Sequence, residues 1–309
     1  MSDNIIFMGT SKFAVPILEK ISKSKFNISV VYTQSPKKSS RGMKVQKNPI
    51  QIKCESLGLP IRTPNVLKNN IHEYNFIKKI EPAIVIVISY GQIIPKEFLE
   101  LPKKGFLNIH ASILPKFRGA APIQRAIMSQ DTETGISFMK IDEHLDTGPV
   151  LKTYKVKIES NLNATELEKK LSQLATEKII ENIDNIITGK ANFEEQNHLE
   201  ATYAEKIDKK EGKITWNDSA KKIIGKINGL HPNPGAYFIF NGDRYKILKA
   251  KIGNGSGPSG EVLNDKLEIA CSNNESIKVI EIQKEGKKIQ EINDFLNGSK
   301  ISKGHTLNE

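Results

Sequence analysis

Apolar residues along this chain fall first into short unbroken runs and later into helical spacing. "NIIFMG" (4–9), "ISVVYT" (28–33) and "PAIVIVIS" (82–89) read as strands. The last, continuous and β-branched, has the character of a central strand covered on both faces. "GFLNIHA" (105–111) and "TGISFMKI" (134–141) are further strands, with "APIQRAIMS" (121–129) as a helix between them. Behind Gly9 and Thr10, "FAVPILEKI" opens a helix with Ser11 as its expected N-cap. Leu167, Leu171, Leu174, Ile179, Ile183 and Ile186 recur every three to five residues, predicting an amphipathic helix from Ala164 to Ile187. Strands alternating with helices argue for an open, mostly parallel, Rossmann-like α/β sheet.

The pattern changes after the polar, turn-rich "TGKANFEEQNHLEATYAEKI" (188–207). One helix around "DSAKKIIGKING" is followed by "GAYFIF", "RYKILKAKI", "GEVL", "KLEIAC" and "IKVIEI", short strands separated by Gly and Asn. Such a series predicts a small C-terminal β-barrel of OB-like form. The expected organisation is a first domain over 1–189, a linker over 190–205 and a second domain over 206–309.

Composition narrows the class. The chain has 309 residues and a formal charge of +11, with 38% apolar and 26% charged residues, as in a soluble globular protein. No run approaches the roughly 20 apolar residues of a membrane span, and "MSDNIIFMGT" has no export signal. Cys54 and Cys271 are isolated, so a disulfide framework or a zinc site is not expected and the cytoplasm is the natural compartment. The charge is distributed unevenly. Nine basic residues lie between Glu19 and Glu55 with no acid among them, and five of them, Lys37, Lys38, Arg41, Lys44 and Lys47, stand in a loop ("QSPKKSSRGMKVQKNP") without apolar periodicity. A polyanionic partner fits that patch; a merely solvated basic loop fits it too.

Candidate chemistry gathers at the end of "GFLNIHA". Alternation in a strand puts Asn108 and His110 on one face at its carboxyl end, the edge where open parallel sheets bind ligands. The plainer reading is that both satisfy the backbone of a turn. "SILP" (112–115) then gives a proline-stiffened loop whose backbone can meet a flat heterocycle. Arg118 and Gly119 precede a helix, where an Arg serves an anion or a surface ion pair. Asp146, in "DEHLDTGPV", belongs to a turn, and an Asx-turn carboxylate is its plainer role. An aspartic protease is set aside, since that chemistry needs two such motifs sharing a proton. His144 reads as a solvent-exposed residue. With no nucleophile elbow and only one Gly where a dinucleotide fingerprint needs three, what is left is Asn, His and Asp without a nucleophile. That set suits transfer between two bound substrates.

These motifs together resemble the folate-dependent formyltransferases: Asn108-Ile109-His110, Ser112-Ile113-Leu114-Pro115 and Leu145-Asp146-Thr147-Gly148, in this order and at this separation. Further similarity runs through "MGTSKFAVPIL", "SYGQIIPK", "RGAAPIQRAI", "YAEKI", "PNPGAYF" and "GKKIQEINDFLNG", covering nearly the whole chain. It points to the branch acting on methionine esterified to initiator tRNA. The resemblance implies 10-formyltetrahydrofolate as formyl donor and no metal. It implies Asn108, His110 and Asp146 as catalytic residues and Ser112, Ile113, Leu114 and Pro115 as the folate loop. It also implies a tRNA-contacting loop around Arg41 and Gly42, with Lys37, Lys38 and Lys44 beside them, and a C-terminal barrel gripping the initiator methionyl-tRNA. A monomer is expected. Rival readings are a formyltransferase acting on a small amine, a formyltetrahydrofolate hydrolase and a catalytically silent RNA-binding protein.

Overall fold

The computed structural model describes residues 3–39 and 44–307, and the side chains of residues 37–45 lie outside that description. Strands and helices alternate through the first half. β1 (Asn4–Gly9) leads to α1 (Val15–Ser22), then β2 (Asn27–Tyr32), the hairpin strands β3 (Lys37–Ser39) and β4 (Lys44–Gln46), and α2 (Pro49–Leu57). β5 (Ile61–Arg62), α3 (Ile71–Ile80), β6 (Ile84–Ile88), α4 (Lys96–Leu99) and β7 (Phe106–His110) follow. Then come β8 (Arg118–Gly119), α5 (Pro122–Met128), β9 (Glu133–Lys140), β10 (Val150–Lys157) and α6 (Ala164–Ile187). The remainder holds β11 (Tyr203–Ala204), α7 (Ala220–Gly229), β12 (Ala236–Phe240), β13 (Asp243–Ile252), β14 (Glu268–Ala270), β15 (Ser276–Lys284), β16 (Gln290–Glu291) and α8 (Ile292–Leu296).

Two compact units result. The first gathers Met1–Gly119, Gly135–Val156 and Glu168–Tyr203; the second gathers Ala120–Thr134, Lys157–Leu167 and Ala204–Glu309. The first is a seven-stranded sheet in the order β10-β9-β7-β6-β1-β2-β5. β5, β2, β1, β6 and β7 run parallel, and β9 lies antiparallel to β7. This is the mostly parallel α/β sheet that the sequence predicts. β6, "IVIVI", is buried at every position, as a strand covered on both faces must be. One face packs Ile6, Met8, Val85 and Val87 against Phe98 and Ile77. The carboxyl ends of β1, β6 and β7 share one edge, where the Thr10 hydroxyl donates to the Tyr90 carbonyl at 2.9 Å.

Helix starts follow local chemistry. Asn48 caps α2 by accepting from the Ile50 and Gln51 N–H groups, and the Gln51 side chain bonds back to the Asn48 N–H. Ser11 does not cap α1 as expected: a 3-10 turn (Lys12–Ala14) intervenes, α1 starts with Ala14 at its N-cap and Pro16 in its first turn, and the Ser11 hydroxyl makes no capping bond. Pro16 supplies the helical φ and lacks the donor that would need a cap.

The second unit is antiparallel, with β12, β13, β15 and β14 in that order and β16 on β15. The small β unit expected for the C-terminal third is therefore present. "GEVL" forms bridges from Glu261 to Thr306 and from Val262 to Ile269, not a strand of its own. Trp216, Phe238, Tyr245, Ile247 and Phe295 fill the core beneath α7 and α8. α5 belongs to this unit. Gly225 and Gly229 of α7 lie against it, and a Cβ on Gly229 would sit 2.9 Å from the Gln124 carbonyl oxygen. Both cysteines are buried; burial pushes the Cys54 thiol up to about 11 and the Cys271 thiol to about 12, so they behave as small hydrophobes.

Candidate active site

β7 carries Asn108 and His110 to the carboxyl edge of the sheet, on one face of the strand. Asn108 pairs in register with Val87 on β6 and Met139 on β9. It is half-buried, and among the described residues its amide has no hydrogen-bond partner, so its donors are free for a substrate. His110 is buried, with Nε2 2.8 Å from the Phe117 carbonyl oxygen. A carbonyl only accepts, so that nitrogen carries the proton. Nδ1 of the neutral ring is then bare, and it faces Asp146 Oδ2 at 3.6 Å. The plainer expectation, a histidine satisfying a turn, thus describes one ring nitrogen, while the other faces Asp146.

Asp146 reaches this place from a turn between β9 and β10. Its backbone sits at φ 52, in the left-handed region that costs a non-glycine residue roughly 1 kcal/mol or more. The same Oδ2 accepts the Gly119 N–H at 2.8 Å. Its expected role as an Asx-turn carboxylate is overturned, because Asp142 does that work: it accepts from the His144 N–H at 3.0 Å and takes the Thr147 hydroxyl at 2.7 and 2.8 Å. Gly148 closes the turn against β9, where a Cβ would collide with the Lys140 carbonyl oxygen, so no other residue fits. His144 is exposed, as expected.

The loop after β7 is held by its own groups, by Thr202, whose hydroxyl accepts the Phe117 N–H at 2.9 Å, and by one side chain of β9. Ser137, fully buried, donates to the Ser112 carbonyl at 2.8 Å and accepts the Leu114 N–H at 3.1 Å. The Ser112 hydroxyl is buried and spent on the Lys116 carbonyl at 2.5 Å, so Ser112 shapes the loop with its side chain. Leu114 is buried, Ile113 and Pro115 are half-buried, and the Leu114–Pro115 peptide is cis.

Arg118 is not the surface or anion-binding residue that its position suggested. It is 2% exposed, and its guanidinium meets Gln196 Oε1 at 2.7 and 3.1 Å and His198 Nδ1 at 3.0 Å. Sequence reasoning missed Gln196, since a buried amide inside a polar stretch leaves no periodic signal. Lys37, Lys38 and Lys44 belong to the antiparallel hairpin β3–β4, in which Lys38 pairs with Val45 and Ser39 with Lys44. Arg41 and Gly42 lie outside the described residues. Among the described residues no group of three or more His, Cys, Asp or Glu side chains could hold a metal ion, and no helix is long and apolar enough to cross a membrane.

Comparison with known proteins gives this geometry a context. A formyl transferase profile matches residues 3–183, and a profile for the formyl transferase C-terminal domain matches residues 206–300. A methionyl-tRNA formyltransferase of Pelagibacter ubique is 59% identical over 307 residues, covering 99% of both chains. Those of Thermodesulfovibrio yellowstonii and Rickettsia massiliae are 41% and 42% identical, each covering 98% of this chain and 98% and 99% of their own lengths. Among solved structures, the sugar 3N-formyl transferase WlaRD superposes with a TM-score of 0.68 at 21% identity, over 93% of this chain and all of its own. HypX from Aquifex aeolicus, in complex with tetrahydrofolic acid, gives 0.65 at 16% identity over 94% of this chain and 46% of its own. At those identities the two structures speak for the fold alone.

Proposed function

The chain belongs to the methionyl-tRNA formyltransferases, and from that membership we propose that Asn108, His110 and Asp146 carry out formyl transfer from 10-formyltetrahydrofolate to the α-amine of methionine esterified to initiator tRNA. The observation that carries this reading is the meeting of Asp146 with His110, 36 positions away in the chain, beside an Asn108 amide without a partner among the described residues.

The chemistry follows from the groups. The amine attacks the formyl carbon, and the carbonyl electron pair moves to oxygen, building negative charge there. The Asn108 amide offers a fixed donor to that oxygen, an interaction worth roughly 3 to 4 kcal/mol in comparable sites. Attack leaves the nitrogen cationic, and the bare Nδ1 of His110 accepts its proton. The resulting imidazolium pairs with Asp146. Collapse breaks the bond from the formyl carbon to folate N10, which takes a proton back. Amine and carrier thus exchange one formyl group for one proton, with no covalent enzyme intermediate.

The backbone of Ser112 to Pro115 is the surface for the folate ring, because Ser137 fixes its shape while its outer face is free to meet a flat heterocycle. For tRNA, the β3–β4 hairpin with Lys37, Lys38 and Lys44, and Arg41 and Gly42 between its strands, is the arm that meets the acceptor stem. Its phosphate contacts come from Lys, and Arg41 reads the base edges of an opened end. In chain order, residues 1–189 carry the catalytic groups, 190–205 lead on from them, and 206–309, which make up the greater part of the second unit, bind the tRNA with 18 basic residues against 13 acidic ones. The enzyme works in the cytoplasm as a monomer without metal.

The test is transfer of labelled formyl from 10-formyltetrahydrofolate to methionine charged on initiator tRNA, with elongator methionyl-tRNA as control. Preferential labelling of the initiator is expected. Labelling of a free amine or of water in preference to either tRNA would overturn the reading.

A further inference from the structure

Gln196 stands in the polar stretch after α6, yet it is only 7% exposed and every hydrogen-bonding position of its amide is taken. Oε1 accepts from Arg118 Nη2 at 2.7 Å and from Nε at 3.1 Å. Nε2 donates to the Asp146 carbonyl at 2.9 Å and to the Gly148 carbonyl at 2.7 Å. Two lone pairs and two hydrogens are the full capacity of the group. The opposite orientation would turn an NH2 toward a guanidinium and an oxygen toward two carbonyls, so the partners dictate one way round.

Arg118 is the other half of the arrangement. Among the described residues no carboxylate pairs with its buried guanidinium, which rests on neutral acceptors, Gln196 and His198. A buried cation so satisfied is a poor stabiliser by itself. It does, however, hold the Gln196 amide rigidly.

The bonds form a ring. The Arg118 side chain holds Gln196, Gln196 holds the Asp146 carbonyl, and the Asp146 carboxylate accepts the N–H of Gly119, the residue after Arg118. Both peptide carbonyls held by Gln196 flank Thr147, so the amide spans the turn in which Asp146 adopts its left-handed backbone. Beside that clasp, Asp142, the Gly119 bond and the Lys140 N–H to Pro149 carbonyl bond at the base of the turn hold it in place.

We propose that Gln196, itself oriented by Arg118, is a positioning residue that fixes the Asp146 carboxylate in register with His110 during proton transfer. The inference rests on the catalytic reading of Asp146 given above. The amide of Gln196 is filled by Arg118 and the carbonyls of Asp146 and Gly148, so its effect passes through Asp146, and displacements of about 1 Å in such groups cost up to about 100-fold in rate.

The test is a double-mutant cycle on the full chain, with kcat and KM for both substrates and the melting temperature of every variant. Gln196→Met keeps the volume and removes all four bonds. Gln196→Glu keeps the acceptor for Arg118 and sets an oxygen against two carbonyls, and it carries the same cycle should the Met variant not fold. Each is expected to lower kcat about tenfold or more with KM for initiator tRNA within about twofold, and to add less than about twofold once Asp146→Asn is present. An equal loss in both backgrounds, a loss that follows the folded fraction, or an unchanged kcat in folded protein overturns the inference. Full turnover by Asp146→Asn alone would instead overturn the catalytic reading beneath it.

Discussion

One oxygen of Asp146 serves two partners: Oδ2 takes the Gly119 N–H at 2.8 Å and faces His110 Nδ1 at 3.6 Å, while Oδ1 has no protein partner among the described residues. The backbone N–H fixes the oxygen in place, 3.6 Å from the imidazole nitrogen.

Asp146→Asn keeps an oxygen for Gly119 but removes the charge that balances an imidazolium. Turnover is expected to fall about 100-fold to 10,000-fold, with KM for initiator tRNA within about twofold. Asn108→Ala, which removes the donor to the developing oxyanion, is expected to cost about 100-fold to 1,000-fold in kcat. Steady-state formyl transfer by both variants checks the two expectations, and a loss confined to KM would contradict them.

Glu268 offers a pH test of stability. It is 4% exposed; burial alone would push its carboxyl up, but the Gly255 and Asn254 N–H groups, the Ser276 hydroxyl and the Asn264 amide hold it down to about 2 from the usual 4.5. A carboxyl with a depressed folded-state pKa contributes stability above its unfolded value and loses it as pH falls through the folded one. The contribution is roughly 3 kcal/mol at neutral pH and disappears between about 4.5 and 2. Glu268→Gln is expected to destabilise at pH 7 and to differ little from the parent near pH 2, as measured by chemical denaturation across that range.

Gly229 tests the packing of α5 on α7. A methyl group there meets the Gln124 carbonyl at 2.9 Å, so Gly229→Ala is expected to cost roughly 1 to 3 kcal/mol despite the better helix propensity of Ala. Gly298, where an added Cβ meets nothing within 4 Å, is the control. Its Ala variant is expected to melt with the parent. Equal melting of both variants would mean that the helices adjust.

Basic contacts to tRNA should make binding fall steeply with salt. Lys38→Ala is expected to weaken binding of any tRNA alike and to shallow the plot of log affinity against log salt by about one. Arg41→Ala is expected to reduce the preference for initiator over elongator tRNA. Titrations at four salt concentrations separate the two, and unchanged selectivity in Arg41→Ala would leave the basic stretch as a plain solvated loop.

What the sequence disclosed depended on whether a residue's role was local. β6 and α6 were legible because burial on both faces of a strand and on one face of a helix writes a pattern into consecutive residues. Asn108 and His110 were legible because two-residue spacing on a strand fixes a shared face. The division of labour between Asp142 and Asp146 was not, since both stand in the same turn and only a bond to Gly119, 27 positions back, tells them apart. Arg118 and Gln196, 78 positions apart, were invisible for the same reason, and the Ser11 cap failed because proline chemistry at the start of α1 made it unnecessary.

The hydroxyl of Ser137 ties the loop after β7 at Ser112 and Leu114 and meets the Thr153 hydroxyl at 3.1 Å, so part of the loop's backbone hangs from the sheet. Shape and surface are thereby separable. Ile113, half-buried, can be exchanged to change the surface the loop presents while its path stays put, whereas a change at the buried Ser137 would redraw the path for every such variant at once.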